Sequence, residues 1–201
     1  MRHALCVMIF FGLGNPGREY ARTRHNLGFM VLDALARTFG VRFRKRRAWH
    51  EAKVAIGDVT VALVKPARFM NLSGEVVKDY LSLHPDEFLV VCDDLALPFG
   101  RLRIRTRGSD GGHNGLANII YHLGAAGFPR LRMGISGVPE GMDGADYVLS
   151  EFIEEERRHL PEVIEAAKDA LVMVVEQGIS TAMNHYNSRD LVPADDAKSS
   201  T

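Results

Sequence analysis

The sequence predicts a single α/β domain, a three-layer sandwich in which helices cover both faces of a central mixed β-sheet. Three observations carry that expectation. Short apolar runs at 6–11, 59–64, 88–92 and 131–135 suit buried strands, and they interleave with amphipathic helical patterns. Residues 53–56 and 59–64 flank Gly57-Asp58, a hairpin signal that brings antiparallel pairing into a sheet otherwise built by strand–helix alternation. Finally, 201 residues with 46% hydrophobic content are enough to bury a substantial core within one domain.

The first strand, Cys6 to Phe11, runs into Gly12, Gly14 and Gly17 around Asn15 and Pro16. Glycines there let the chain turn sharply and approach a ligand without a Cβ in the way. Tyr20, three arginines and the pair His25-Asn26 follow before a helix starts. Gly12 to Gly17 fits G-x-G-x-x-G, but a dinucleotide site needs the helix to open at the glycines and an acid at the tip of a second strand. Pro16 and the polar stretch 18–25 delay the helix, and Asp33 falls within it, which leaves a dinucleotide-dependent enzyme as a disfavoured alternative. The short apolar N-terminus lacks a small-residue cleavage site and reads as strand rather than signal peptide, with Met8 an alternative start.

Leu27 to Phe39 has helical spacing, closed by Gly40. Arg42, Arg44, Lys45, Arg46 and Arg47 form either a solvated linker or a phosphate-facing loop. The hairpin then leads to residues 65–74 and a helix to about Leu83. Asn71 or Ser73 suits a helix N-cap, while Phe69 and Met70 suit core or site equally. Phe88 to Cys92 is a buried strand ending in Asp93-Asp94, where a turn cap would account for one carboxylate. Arg101, Arg103, Arg105 and Arg107 alternate, which would set all four on one face of a strand toward solvent or an anion. A second glycine loop, 108–115, opens a helix from Leu116 to Leu123 and presents amides and Asn114. Leu131 to Ile135 is a strand behind Arg130 and Arg132, 137–144 a loop, and 147–152 a short element. Glu154 to Gln177 and Ile179 to Tyr186 are helices. The domain is expected over 1–190, with residues 191–201 a disordered polar tail.

No run of eighteen apolar residues exists, so no membrane span is expected. Cys6 and Cys92 lack metal spacing and read as core residues of a reducing, cytoplasmic setting. Net charge is zero but uneven. Residues 1–136 carry 20 Lys+Arg against 11 Asp+Glu, and residues 137–201 carry 5 against 14, so the front two thirds suit a polyanion.

Strand-to-loop junctions thus hold Asn15 with His25, Asn71, Asp93, and His113 with Asn114. If they converge, a histidine held by an aspartate is a general base for water near neutral pH, and carboxamides can hold peptide amides and carbonyls. No metal spacing and no nucleophile elbow are present, so the chemistry implied is direct hydrolysis of an activated bond such as an ester. His3, His50, His84, His122, His159 and His185 have no motif context.

These residues carry a close resemblance. G-L-G-N-P-G-R-E-Y-A-R-T-R-H-N at 12–26, F-M-N-L-S-G at 69–74, D-D-L-A-L-P at 93–98, G-G-H-N-G-L at 111–116 and F-P-R-L-R-M-G-I at 128–135 resemble the bacterial peptidyl-tRNA hydrolase family over nearly the whole chain. The resemblance implies hydrolysis of the ester joining peptide to the tRNA 3′ ribose, by a cytoplasmic monomer using neither metal nor cofactor. It implies that His25 activates water, Asp93 orients His25, and Asn15 recognises the blocked amino end. Tyr20, Phe69, Asn71 and Asn114 would contact the tRNA end or peptide and Met70 would line the site. His113 would support the site, and Arg105 and Arg132 would meet tRNA phosphates. Cys92 stands where the family commonly has His, Ala96 where Asp is frequent, and Arg68 where a small polar residue is usual. Some relatives in plant organelles serve RNA splicing, so non-catalytic RNA binding is the competing class; the joint presence of His25, Asp93, Asn15, Asn71 and Asn114 argues for catalysis.

Overall fold

The computed structural model describes residues 7–192. Cys6, His3 and the tail beyond Val192 lie outside the described residues. Seven strands, β1 (Val7–Gly12), β2 (Arg44–Lys45), β3 (Trp49–Ile56), β4 (Val59–Pro66), β5 (Glu87–Asp94), β6 (Leu102–Arg105) and β7 (Arg130–Gly134), form one sheet in the order β2-β3-β4-β1-β5-β7-β6. The inner four run parallel, while β2, β3 and β6 add antiparallel pairs at the two edges, so the sheet is mixed as expected.

Period two divides β1, β4 and β5 between two cores. Phe10, Leu63, Leu89, Val91 and Met133 pack toward helices α1 (Leu27–Thr38), α5 (Glu154–Gln177) and α6 (Ile179–Tyr186). Ile9, Phe11, Ala62, Val64, Val90 and Cys92 pack toward α2 (Ser73–Leu83) and α3 (Asn114–Leu123). Both faces of these three strands are covered, which is why their sequences read as near-continuous apolar runs.

Several boundaries differ from expectation for local reasons. The basic stretch after α1 is neither linker nor loop throughout: Arg44 and Lys45 pair with Glu51 and His50 as the edge strand β2. Cations on such an edge discourage pairing with another chain. Neither Asn71 nor Ser73 caps α2. A 3-10 turn, Met70–Leu72, runs directly into the helix, and Ser73 Oγ donates to Met70 O (2.8 Å). β5 extends through Asp94 because β7 pairs with it as far as Gly134. The four alternating arginines do not share one strand face: β6 covers 102–105, Arg101 is ion-paired with Asp190, and Arg107 lies past the strand end. The short element near 147 is α4 (Gly144–Val148), capped by Asp143 Oδ1 accepting from Ala145 N (2.8 Å).

One close approach positions the site. A Cβ on Gly28, in the first turn of α1, would lie 2.4 Å from both Leu13 N and Val91 O, and one on Gly12 would lie 2.4 Å from Gly28 O. The two glycines let α1 begin directly against the carboxyl ends of β1 and β5. Residues 24–26, just before α1, are thereby pressed against the end of β5.

Candidate active site

Arg24–Asn26 form a 3-10 turn leading into α1. This turn puts His25 at the end of β5, where its Nδ1 lies 2.9 and 3.0 Å from the two carboxylate oxygens of Asp93. Both residues are buried. An ionised carboxylate only accepts hydrogen bonds, so Nδ1 carries the proton and donates, leaving the Nε2 lone pair available. Burial by itself would raise the Asp93 carboxyl, but the imidazoles of His113 and His25 hold it well below the usual carboxylate range.

His113 approaches the same carboxylate, its Nε2 3.0 Å from Asp93 Oδ1. Its Nδ1 accepts from the backbone N–H groups of Gly115 (3.1 Å) and Leu116 (3.3 Å), capping α3. Backbone amides only donate, so Nδ1 is unprotonated and Nε2–H points at Asp93. His113 therefore has no lone pair to offer water. The two rings lie 4.8 Å apart and are distinguished by these partners: His25 is the base, His113 a donor that fixes Asp93. Ligating atoms of His25, Asp93 and His113 lie within 4.8 Å of one another, a grouping that sequence spacing does not reveal. Both facing nitrogens already serve as donors to Asp93, and an ion there would require both protons to leave.

Asn15 is held by Asn26, which the sequence reading left without a role, and by Met70. Asn26 Oδ1 accepts from Asn15 N (2.8 Å), and Asn26 Nδ2 donates to Asn15 O (3.0 Å), so one carboxamide grips both backbone polar groups of that residue. The Asn15 side chain is then set by Met70 N, which donates to its Oδ1 (2.8 Å). Its Nδ2 is the donor of that side chain not engaged by Met70. Gly115 packs so closely that a Cβ there would lie 2.6 Å from Met70 Sδ, which ties α3 to the 69–72 turn.

A cavity of about 230 Å³ is lined by His25, Asp93, Asp94, residues 110–114, Arg132, and Gly144, Ala145 and Val148 of α4. A second, also about 230 Å³, is lined by Asn15, Asn26, Phe29, Asp33, His50 and Lys65, among others. His25, Asp93, His113, Asn114 and Arg132 thus meet in one cavity, and Asn15 lines the second. Tyr20 and Phe69 stack edge to face (6.2 Å), with Phe69 54% exposed; Asn71 is exposed and Met70 buried. Arg132 is held within the fold, donating to Asp94 Oδ2 (3.0 Å), Ser109 O (3.3 Å) and Asp110 O (2.7 Å). Exposed Arg105 sits opposite Arg130, whereas Asp93 is level with Met133. That is three residues, roughly 10 Å, farther down the sheet. Asp94 also accepts from Ala96 N (2.9 Å), so one of the two adjacent carboxylates caps a turn as expected. Cys92 is buried, and burial pushes its thiol up, which makes it an inert core residue.

Residues 9–194 match the family model described as Peptidyl-tRNA hydrolase. The chain belongs to the peptidyl-tRNA hydrolase family. Among the family's curated members, the peptidyl-tRNA hydrolase of Chloroflexus aggregans is 50% identical over 186 residues, 90% of this chain and 99% of that one. That of Fervidobacterium nodosum is 47% identical over 184 residues, covering 92% and 98%. Among solved structures, peptidyl-tRNA hydrolase from Acinetobacter baumannii superposes with a TM-score of 0.87 at 30% identity, covering 96% of this chain and all of that one. The family fold is therefore present over its full length. Asn26 was legible only as a neighbour of His25; its grip on Asn15 has no signature in spacing.

Proposed function

We propose that His25 is the general base of a peptidyl-tRNA hydrolase, acting as a cytoplasmic monomer on the ester between peptide and the 3′ end of tRNA. Membership of the family makes the chain a hydrolase of peptidyl-tRNA; the assignment of roles is our reading. One observation carries it: His25 lines the cavity while its Nδ1 is fixed on Asp93, so Nε2 is the nitrogen left to take a proton. Water bonded to Nε2 loses its proton to the imidazole as its oxygen attacks the ester carbonyl. The tetrahedral intermediate collapses with release of the ribose oxygen, which takes the proton back from His25. General base catalysis of this kind contributes roughly 100- to 10,000-fold.

Asn15 supplies discrimination. With Oδ1 occupied by Met70 N, only the Nδ2 donors face substrate. A peptide or N-blocked amino acid offers a carbonyl oxygen to accept from them, whereas a free α-ammonium offers only donors and a positive charge. Asn71 and Asn114, both exposed, would add carboxamide contacts to the acyl group or the terminal ribose. Among the described residues no helix is long and apolar enough to cross a membrane.

The test is to incubate the protein, with chelator present, with N-acetylaminoacyl-tRNA and with its unblocked counterpart. Release of the blocked amino acid alone is expected. Binding without release would mean that the fold serves RNA recognition, and release only without chelator would move the chemistry to a metal. Arg105 provides a separate check on where the tRNA lies. If its exposed guanidinium meets a phosphate, Arg105→Ala lowers the slope of log affinity against log salt by about 0.7 to 0.9. An unchanged slope would place the tRNA elsewhere.

A further inference from the structure

We infer that Arg24 is a positioning residue that ties the catalytic turn to the wall of the site formed by α4. The inference rests on the reading of His25 as the base. Arg24 is 3% exposed, the residue immediately before His25, and contacts three separate segments. Its Nη2 lies 2.7 Å from Glu156 Oε2 at the start of α5, and the same oxygen accepts from Ile153 N (2.9 Å), so one carboxylate caps the helix and anchors the arginine. Its guanidinium lies over Tyr147 of α4 (4.4 Å) and Phe152 (4.8 Å). The backbone completes the link: Arg24 N donates to Ser150 O (3.0 Å), and Thr23 forms a bridge with Glu151.

Arg24 Nε and Nη1 are buried without a hydrogen-bond partner. The aromatic rings are what face the guanidinium, which suits a flat, weakly hydrated cation and not an ammonium. Glu151, Glu155, Glu156 and His159 line the cavity beside it. Tyr147 is itself fixed, its hydroxyl donating to Ile135 O (2.6 Å) just beyond β7. Gly144, Ala145 and Val148 of the same helix line the cavity that holds His25 and Asp93. Arg24 is thus the shared member of two structures: the turn that aims the base and the helix that closes the cavity over it. A displaced Arg24 would move both relative to Asp93, which sits on the rigid sheet.

The test uses Arg24→Lys, which keeps the charge and the ion pair but not the flat stack. Its turnover of N-acetylaminoacyl-tRNA is expected to fall about 10- to 100-fold with KM within about 3-fold, the scale of a misplaced group in a site that still binds. The Nδ1–H proton resonance of His25, sheltered by Asp93 in the wild type, should broaden or vanish. Lys168→Met, which breaks an ion pair with Glu165 in α5 far from the turn, serves as a control that lowers melting temperature without these changes. Should Arg24→Lys not fold, Tyr147→Leu removes one ring face, leaves the ion pair and reads the same quantities. Wild-type turnover and an unchanged His25 resonance in a folded variant would overturn the inference and leave Arg24 as core packing. A wild-type protein that releases nothing would instead sink the proposed function, and the His25 resonance would still decide the position of the turn.

Discussion

His25→Ala is expected to lose turnover by about 100- to 10,000-fold while tRNA affinity stays within about 2-fold, because the change removes the base and no phosphate contact. The measurement is single-turnover release of N-acetylated amino acid, set beside a filter-binding isotherm with uncleaved tRNA. The separation follows from geometry. His25 meets Asp93 through Nδ1, which leaves the Nε2 lone pair available, and His25 lines the cavity. His113 cannot substitute, since Gly115 and Leu116 occupy its Nδ1 and Asp93 faces its Nε2–H. Turnover retained in the alanine variant would move the base elsewhere and dismiss the mechanism.

Asp93→Asn is expected to cost on the order of 100- to 10,000-fold in kcat, through the tautomer rather than through shape. A carboxamide can turn its NH₂ toward His25 Nδ1, which drives the imidazole proton to Nε2, where the lone pair is needed. The same amide meets His113 Nε2–H with only one acceptor oxygen, so two imidazoles compete for it. A pH effect on stability follows as well. Asp93 is held well below its ordinary range in the folded state by the two imidazoles. A depressed carboxyl contributes stability that is present above the unfolded value and is lost as pH falls through the folded one. Wild-type melting temperature should therefore decline as pH drops below about 4, the unfolded aspartate value, and the asparagine variant should show a shallower decline over that window. Equal slopes would mean that Asp93 carries none of the acid sensitivity. Because the carboxylate is held well below its ordinary range, a fall of activity in mild acid would not come from Asp93.

Local physics accounts for what could be read in advance. The helix from Leu27 and the hairpin at Gly57-Asp58 follow from side-chain period and turn sterics within about a dozen residues, and both were found where expected. The acidic helix Glu154–Gln177 matched to the residue. The edge strand at Arg44–Lys45 was not legible, because two charged residues carry no strand period and pair there only because β3 offers an open edge. The α2 cap misled for a related reason: Asn71 and Ser73 are good caps in isolation, yet the 3-10 turn at Met70 had already begun the helix.

What the sequence by itself determined was the inventory: imidazoles, carboxylates and carboxamides, each placed at the end of a strand by glycine and helix-start signals, and a family resemblance that assigned them roles. Only the tertiary structure decided their partners. His25 and Asp93 are 68 residues apart and Asn15 and Met70 are 55 apart, and each pair meets because β1 lies between β4 and β5 in a register set by packing on both faces. The same packing fixes which nitrogen of each imidazole carries the proton and whether Arg132 faces solvent or Asp94. Proton position and guanidinium contacts depend on atoms a few ångströms away in space but far along the chain, and no local pattern encodes those.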